Sequence, residues 1–132
     1  MQEEDGQVSL VSRWKLKDGL DENLLEVLRA LAGQVEAAEP DTLMYRVHLP
    51  TKFPLPSGSD ATIPLAEQQY VIFVEIYRNA AAFAKHTQGD VFKAFLKDTA
   101  DFFEPSPDRP GWPVTDTDYM TLVSGFARDA VE

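Results

Sequence analysis

Residues 70–77 read Tyr-Val-Ile-Phe-Val-Glu-Ile-Tyr, a run of β-branched and aromatic side chains without glycine or proline, which is the composition of a strand. Successive side chains of a strand point to opposite faces. Tyr70, Ile72, Val74 and Ile76 therefore share one side, and Val71, Phe73, Glu75 and Tyr77 share the other. Neither side is polar. A sheet built on this strand has two faces to bury, and helices packed on one face leave the second to another partner.

The flanking sequence supplies the remaining elements. Residues 8–16 are rich in β-formers and stop at the turn dipeptide Asp18-Gly19, giving a first strand. Asp21 suits a helix N-cap. After it, Leu24, Leu28, Leu31, Val35 and Ala38 recur at helical spacing until Pro40, so an amphipathic helix with one buried stripe is predicted. Residues 43–49 predict a second strand, ended by Pro50. The segment 50–67 carries Pro50, Pro54, Pro56 and Pro64 with Ser57-Gly58-Ser59. It is unsuited to regular structure, is long for a hairpin, and reads equally as a lid or as a surface insertion. Asn79 caps a short helix running through Gln88, and Gly89-Asp90 restarts a second helix bearing Phe92, Phe95, Leu96 and Phe103. A proline-studded link over 105–118 leads to a last strand at 119–126.

The order strand, helix, strand, strand, helix, strand predicts an α+β, ferredoxin-like βαββαβ fold, in which an antiparallel four-stranded sheet carries its helices on one side. The whole of 1–132 reads as one such domain. Ile72, Val74 and Ile76, with Val11 and Leu122 or Val123, would then form an apolar face larger than monomers expose. A homodimer through the sheet face is expected.

Composition narrows the function. Twenty-two acidic against twelve basic residues leave a net charge of -10, which repels nucleic acid and anionic membranes where no basic patch intervenes. The lack of cysteine excludes disulfides, thiolate chemistry and cysteine-held metals, and it suits a reducing compartment. The start, Met1-Gln-Glu-Glu-Asp-Gly6, has neither the basic nor the apolar region of a secretion signal, and no apolar run approaches membrane-spanning length. A cytoplasmic location is expected. No glycine-rich phosphate loop, nucleophile elbow or zinc-spaced histidine pair appears.

Several short segments, taken in order, resemble the antibiotic biosynthesis monooxygenase (ABM) domains of the dimeric α/β-barrel superfamily. They are residues 15–19, then Glu39-Pro40-Asp41-Thr42-Leu43-Met44-Tyr45, Phe73-Val74-Glu75-Ile76-Tyr77, residues 81–86, and Asp90-Val91-Phe92-Lys93. The resemblance implies two sheets packed face to face across a dimer. It also implies a small-molecule pocket between each subunit's own sheet and helices, with neither metal nor organic cofactor. Asp41 departs from the glycine common after the proline, Tyr77 from a common tryptophan, and 50–67 from a short connection. Relatives that degrade haem use an asparagine, a tryptophan and a histidine where this chain has Ser12, Tyr77 and Leu96, so the axial imidazole is missing and haem degradation is not expected.

What the resemblance implies about activity is cofactor-independent monooxygenation by molecular oxygen of a small aromatic, quinol-like or polyketide-like compound that becomes reactive once deprotonated. That chemistry needs a base and an aromatic cage. His86 lies three residues after Phe83, so the two share a helix face turned toward the sheet. It reads either as the proton acceptor or as a structural histidine, with His48 ranked behind it. Glu75, between Phe73 and Tyr77, reads either as a proton acceptor or as a carboxylate tied to a backbone amide or an arginine. Tyr77 joins His86 and Glu75 as a catalytic candidate. Ser12, Trp14, Phe73, Phe83 and Phe92 are the candidate pocket wall, a role compatible with being core. The alternative function is a non-oxidative small-ligand binder or isomerase on the same barrel.

Overall fold

The strand with two apolar sides lies inside the sheet. The computed structural model describes residues 6–50, 56, 58 and 69–128. They form β1 (Val8–Lys15), α1 (Glu22–Ala38), β2 (Thr42–His48), β3 (Tyr70–Tyr77), α2 (Ala80–Thr87), α3 (Asp90–Asp98) and β4 (Thr115–Met120). The four strands pair antiparallel in the order β2-β3-β1-β4, and the fold is ferredoxin-like α+β. The reading of 50–67 as a lid or an insertion falls, apart from residues 50, 56 and 58, outside the described residues.

Register decides which side chains meet. Leu10 faces Glu75 on β3 and Tyr119 on β4, Ser12 faces Phe73 and Thr117, and Tyr45 faces Glu75. These residues share the inner face. On the outer face Val11 stands between Val74 and Asp118, with Arg46 across from Val74 and Met44 across from Ile76. The helices cover the inner face alone: Val71, Phe73 and Tyr77 are buried, whereas Ile72, Val74 and Ile76 are half-buried.

Each helix begins where its cap predicts. Asp21 accepts a hydrogen bond from the Asn23 amide at 2.6 Å, and Asn79 accepts one from the Ala82 amide at 2.9 Å, satisfying donors that a helix start leaves unpaired. The buried stripe of α1 is Leu24, Leu28, Leu31 and Val35. It ends on buried Glu39 and not on Ala38, which is exposed. Gly89 joins α2 to α3 where a Cβ would stand 2.9 Å from the Lys85 carbonyl oxygen, so the two helices can abut only over a glycine.

Three sequence expectations are corrected. The last strand is Thr115–Met120 and not 119–126, and the proline-rich link is correspondingly shorter than 105–118. Leu122 and Val123 therefore lie beyond the sheet, exposed, and the outer-face positions of β4 are held by Asp116, Asp118 and Met120. Local apolar content favoured 119–126, but pairing favours the earlier segment. There the Ser12 and Thr117 hydroxyls bond at 2.8 Å and Arg13 meets Asp118 at 3.4 Å. Phe103 is not on the second helix, which ends at Asp98. It reaches the core through a bridge to Leu16.

Candidate functional site

A cavity of about 390 Å³ opens between the inner sheet face, α2 and the segment before β4. Six of the residues singled out from sequence line it: Ser12, Trp14, Glu75, Phe83, His86 and Phe92. Phe73 and Tyr77 are the other two, and they stand behind the wall. Phe73 packs on Trp14 with ring centroids 5.0 Å apart, and Tyr77 supports the wall from behind, through Glu75, Phe83 and His86. His48 is exposed and pairs with Ile72 on the opposite face.

His86 is fully buried because α2 carries it inward one turn after Ala82 and beside Phe83. Its Nδ1 lies 2.9 and 3.0 Å from the two carboxylate oxygens of Glu39. Glu39 also accepts the Thr42 hydroxyl at 2.8 Å. A carboxylate only accepts, so Nδ1 carries the proton and Nε2 keeps its lone pair. Nε2 is buried and, among the described residues, has no hydrogen-bond partner. The ring is held by Tyr77, Tyr45 and Phe92, with centroids 5.3, 5.4 and 5.1 Å away. Burial lowers the His86 pKa while Glu39 works to raise it, and the net direction is down. The imidazole is therefore neutral at neutral pH, a base with an unused acceptor.

Glu75 is the second titratable group on the wall. Its partner is neither an amide nor an arginine: Tyr77 donates its hydroxyl to Glu75 Oε1 at 2.6 Å. Burial pushes the carboxyl up to about 7, against the stabilising Tyr77 bond and with help from the negative charge of Glu39. The same burial and the neighbouring carboxylates hold Tyr77 and Tyr45 well above the ordinary phenol range, so both stay protonated. On the neighbouring strand β1 the Trp14 indole N–H donates to Ser12 Oγ at 3.1 Å.

Three participants escaped the sequence reading. Glu39 is the orienting partner of His86, 47 residues away in the chain, and a glutamate at a helix end carries no signal of burial. Arg109 and Trp112 line the cavity from the proline-rich segment. There the signal was present: Arg-Pro-Gly-Trp is a type II turn sequence. A larger groove of about 780 Å³ runs along α1 and β2, but among the described residues no buried unpartnered side-chain atom faces it. Nor do the described residues hold a cluster of three metal-ligating side chains or a helix long and apolar enough to cross a membrane.

The sequence profile described as antibiotic biosynthesis monooxygenase matches residues 7–98. No curated protein matches the chain. Solved structures do. PA3566 from Pseudomonas aeruginosa is 17% identical with a TM-score of 0.64, covering 93% of this chain and 100% of its own. A dimeric protein of ferredoxin-like fold from Bacteroides fragilis is 15% identical with a TM-score of 0.58, covering 89% and 97%. SnoaB, a cofactor-independent oxygenase from Streptomyces nogalater, is 9% identical with a TM-score of 0.56, covering 92% and 98%. At these identities the likeness is one of fold.

Proposed function

This chain belongs to the antibiotic biosynthesis monooxygenase family, and from that premise we propose that it is a cofactor-independent monooxygenase acting on a small phenol, quinol or anthrone. The observation that carries the reading is the buried His86 Nε2, unpartnered on an aromatic-walled cavity while Glu39 holds Nδ1. In the proposed step Nε2 takes the substrate's acidic proton, and the substrate anion supplies the electrons to molecular oxygen. For an anthrone the balance closes on the substrate and oxygen alone: the CH₂ carbon becomes C=O with one oxygen atom, and the other leaves as water with the two hydrogens. Glu39 stabilises the imidazolium that forms, as a carboxylate behind a catalytic histidine does. Trp14, Phe83 and Phe92 bound the space for a planar ring. The proposed assembly is a homodimer through the outer sheet face, which leaves the cavity on the opposite side.

Oxygen uptake with anthrone or 1,4-naphthohydroquinone tests this. The wild type should exceed the buffer rate, His86→Ala should fall to it, and Glu39→Gln should lose about 100-fold or more, the scale of a misoriented general base. Equal rates for wild type and His86→Ala would defeat the mechanism. A second reading rests on Glu75: a carboxyl that still holds part of its proton near neutral pH, on the same cavity as a neutral imidazole, is also a donor and acceptor pair suited to a keto–enol isomerase. Product formed without oxygen consumption would select it.

A further inference from the structure

We propose, building on the reading of the cavity as an aromatic-substrate site, that its ligand carries an anionic group, a carboxylate in the simplest case, which pairs with Arg109. Among the described residues that line the cavity, Arg109 is the only Lys or Arg. Its guanidinium carbon lies 3.9 Å from the centroid of the Trp112 ring. Trp112 in turn packs on Phe92 at 5.4 Å, and Phe92 on His86 at 5.1 Å. A continuous run of tilted ring contacts therefore joins the cation to the imidazole.

The local sequence builds this placement. Pro110 and Gly111, the latter at φ 83°, form the corner of a turn closed by the Trp112 amide donating to the Arg109 carbonyl at 3.0 Å, which is the proline-then-glycine pattern of a type II turn. Backbone bonds from Ser106 to Trp112 and from Val114 to Glu104, each 2.8 Å, pin the segment to the start of β4. Stacking uses the flat face of a guanidinium and leaves its N–H edge available for two parallel bonds to a carboxylate. The chain has 22 acidic residues, yet Arg109 has no ion pair with any described residue. A cation left unneutralised at an aromatic cavity of a strongly acidic protein is suited to an acidic ligand, which the rest of the surface would repel.

Anaerobic equilibrium dialysis with 2-naphthoate and 2-naphthol, which share a ring system and differ in charge, tests the assignment. Arg109→Gln, at an exposed position, should weaken 2-naphthoate by about tenfold and leave 2-naphthol within about twofold, the scale of one charge-assisted pair. The naphthoate affinity of the wild type should fall with added salt. Equal weakening of both probes, no change in either, or no saturable binding of 2-naphthoate to the wild type would overturn it. Neither probe is turned over in this assay, so its outcome is separate from that of the oxygen-uptake experiment.

Discussion

At the scale of single residues, the site places two titratable groups whose pKa values move toward each other from opposite directions. Glu75 rises to about 7 from an ordinary value of 4.5 through burial, and His86 is lowered, also through burial. The sign of each effect on stability differs. Between 4.5 and about 7 folded Glu75 keeps a proton that the unfolded chain has lost, so Glu75 makes stability fall as pH rises through that window. For His86 the unfolded chain holds the extra proton, so its contribution rises with pH until about 6.5. A Glu75→Gln variant keeps the acceptor for Tyr77 and removes the titration, while the His86 trend stays in both proteins and cancels in the difference. Relative to wild type, this variant should gain stability steadily from pH 4.5 to 7, by up to about 3 kcal/mol. Urea unfolding at several pH values measures it, and a difference independent of pH would show that Glu75 ionises normally in the folded chain.

Among the elements, α2 matters most, since it carries both His86 and Phe83, and its start is set by Asn79. Asn79→Ala should cost about 1 kcal/mol through loss of the bond to the Ala82 amide, and Asn79→Asp should restore most of it. Chemical denaturation of the three proteins checks this, and equal midpoints would mean that the cap is energetically silent. The elements that were legible in the sequence are those whose environment is apolar on a regular period: β3 by its unbroken run, α1 by Leu24, Leu28, Leu31 and Val35, and α2 by its cap. The strand β4 was not. Its inward side chains are Thr115, Thr117 and Tyr119 on a partly polar cavity, and its outward ones include Asp116 and Asp118, so it has no hydrophobic alternation to read. The apolar residues of 119–126 imitated a strand while lying mostly past its end. The candidate site divided in the same way. Aromatic and histidine positions on regular elements were found, whereas the Glu39 to His86 pair depends on tertiary approach, and Arg109 and Trp112 depend on a turn inside a segment read only as a link.

On the scale of the whole molecule, the helices leave Val11, Ile72, Val74 and Ile76 half-buried on the outer face, while Leu122, Val123 and Phe126 beyond β4 are 70%, 95% and 81% exposed. A second copy is the proposed cover, and it must overcome a net charge of -10 on each chain. Hydrophobic burial is insensitive to screening or is strengthened by salt, whereas like-charge repulsion is screened within about 10 Å at roughly 0.1 M ionic strength. Association should therefore tighten between low and moderate salt, the opposite of an interface held by ion pairs. Sedimentation should give twice the 14.8 kDa chain mass at micromolar concentration. Val11→Glu, on the same face between Val74 and Asp118, should sediment as a monomer, because a carboxylate buried at the interface beside a like charge costs several kcal/mol. His86, Glu39 and the cavity lie on the other side of the sheet, so the variant should still bind 2-naphthoate if each subunit builds its own site. A wild-type monomer, or a dimer that weakens as salt is added, would refute the apolar interface, and loss of ligand binding together with dimerisation would show that the partner completes the cavity.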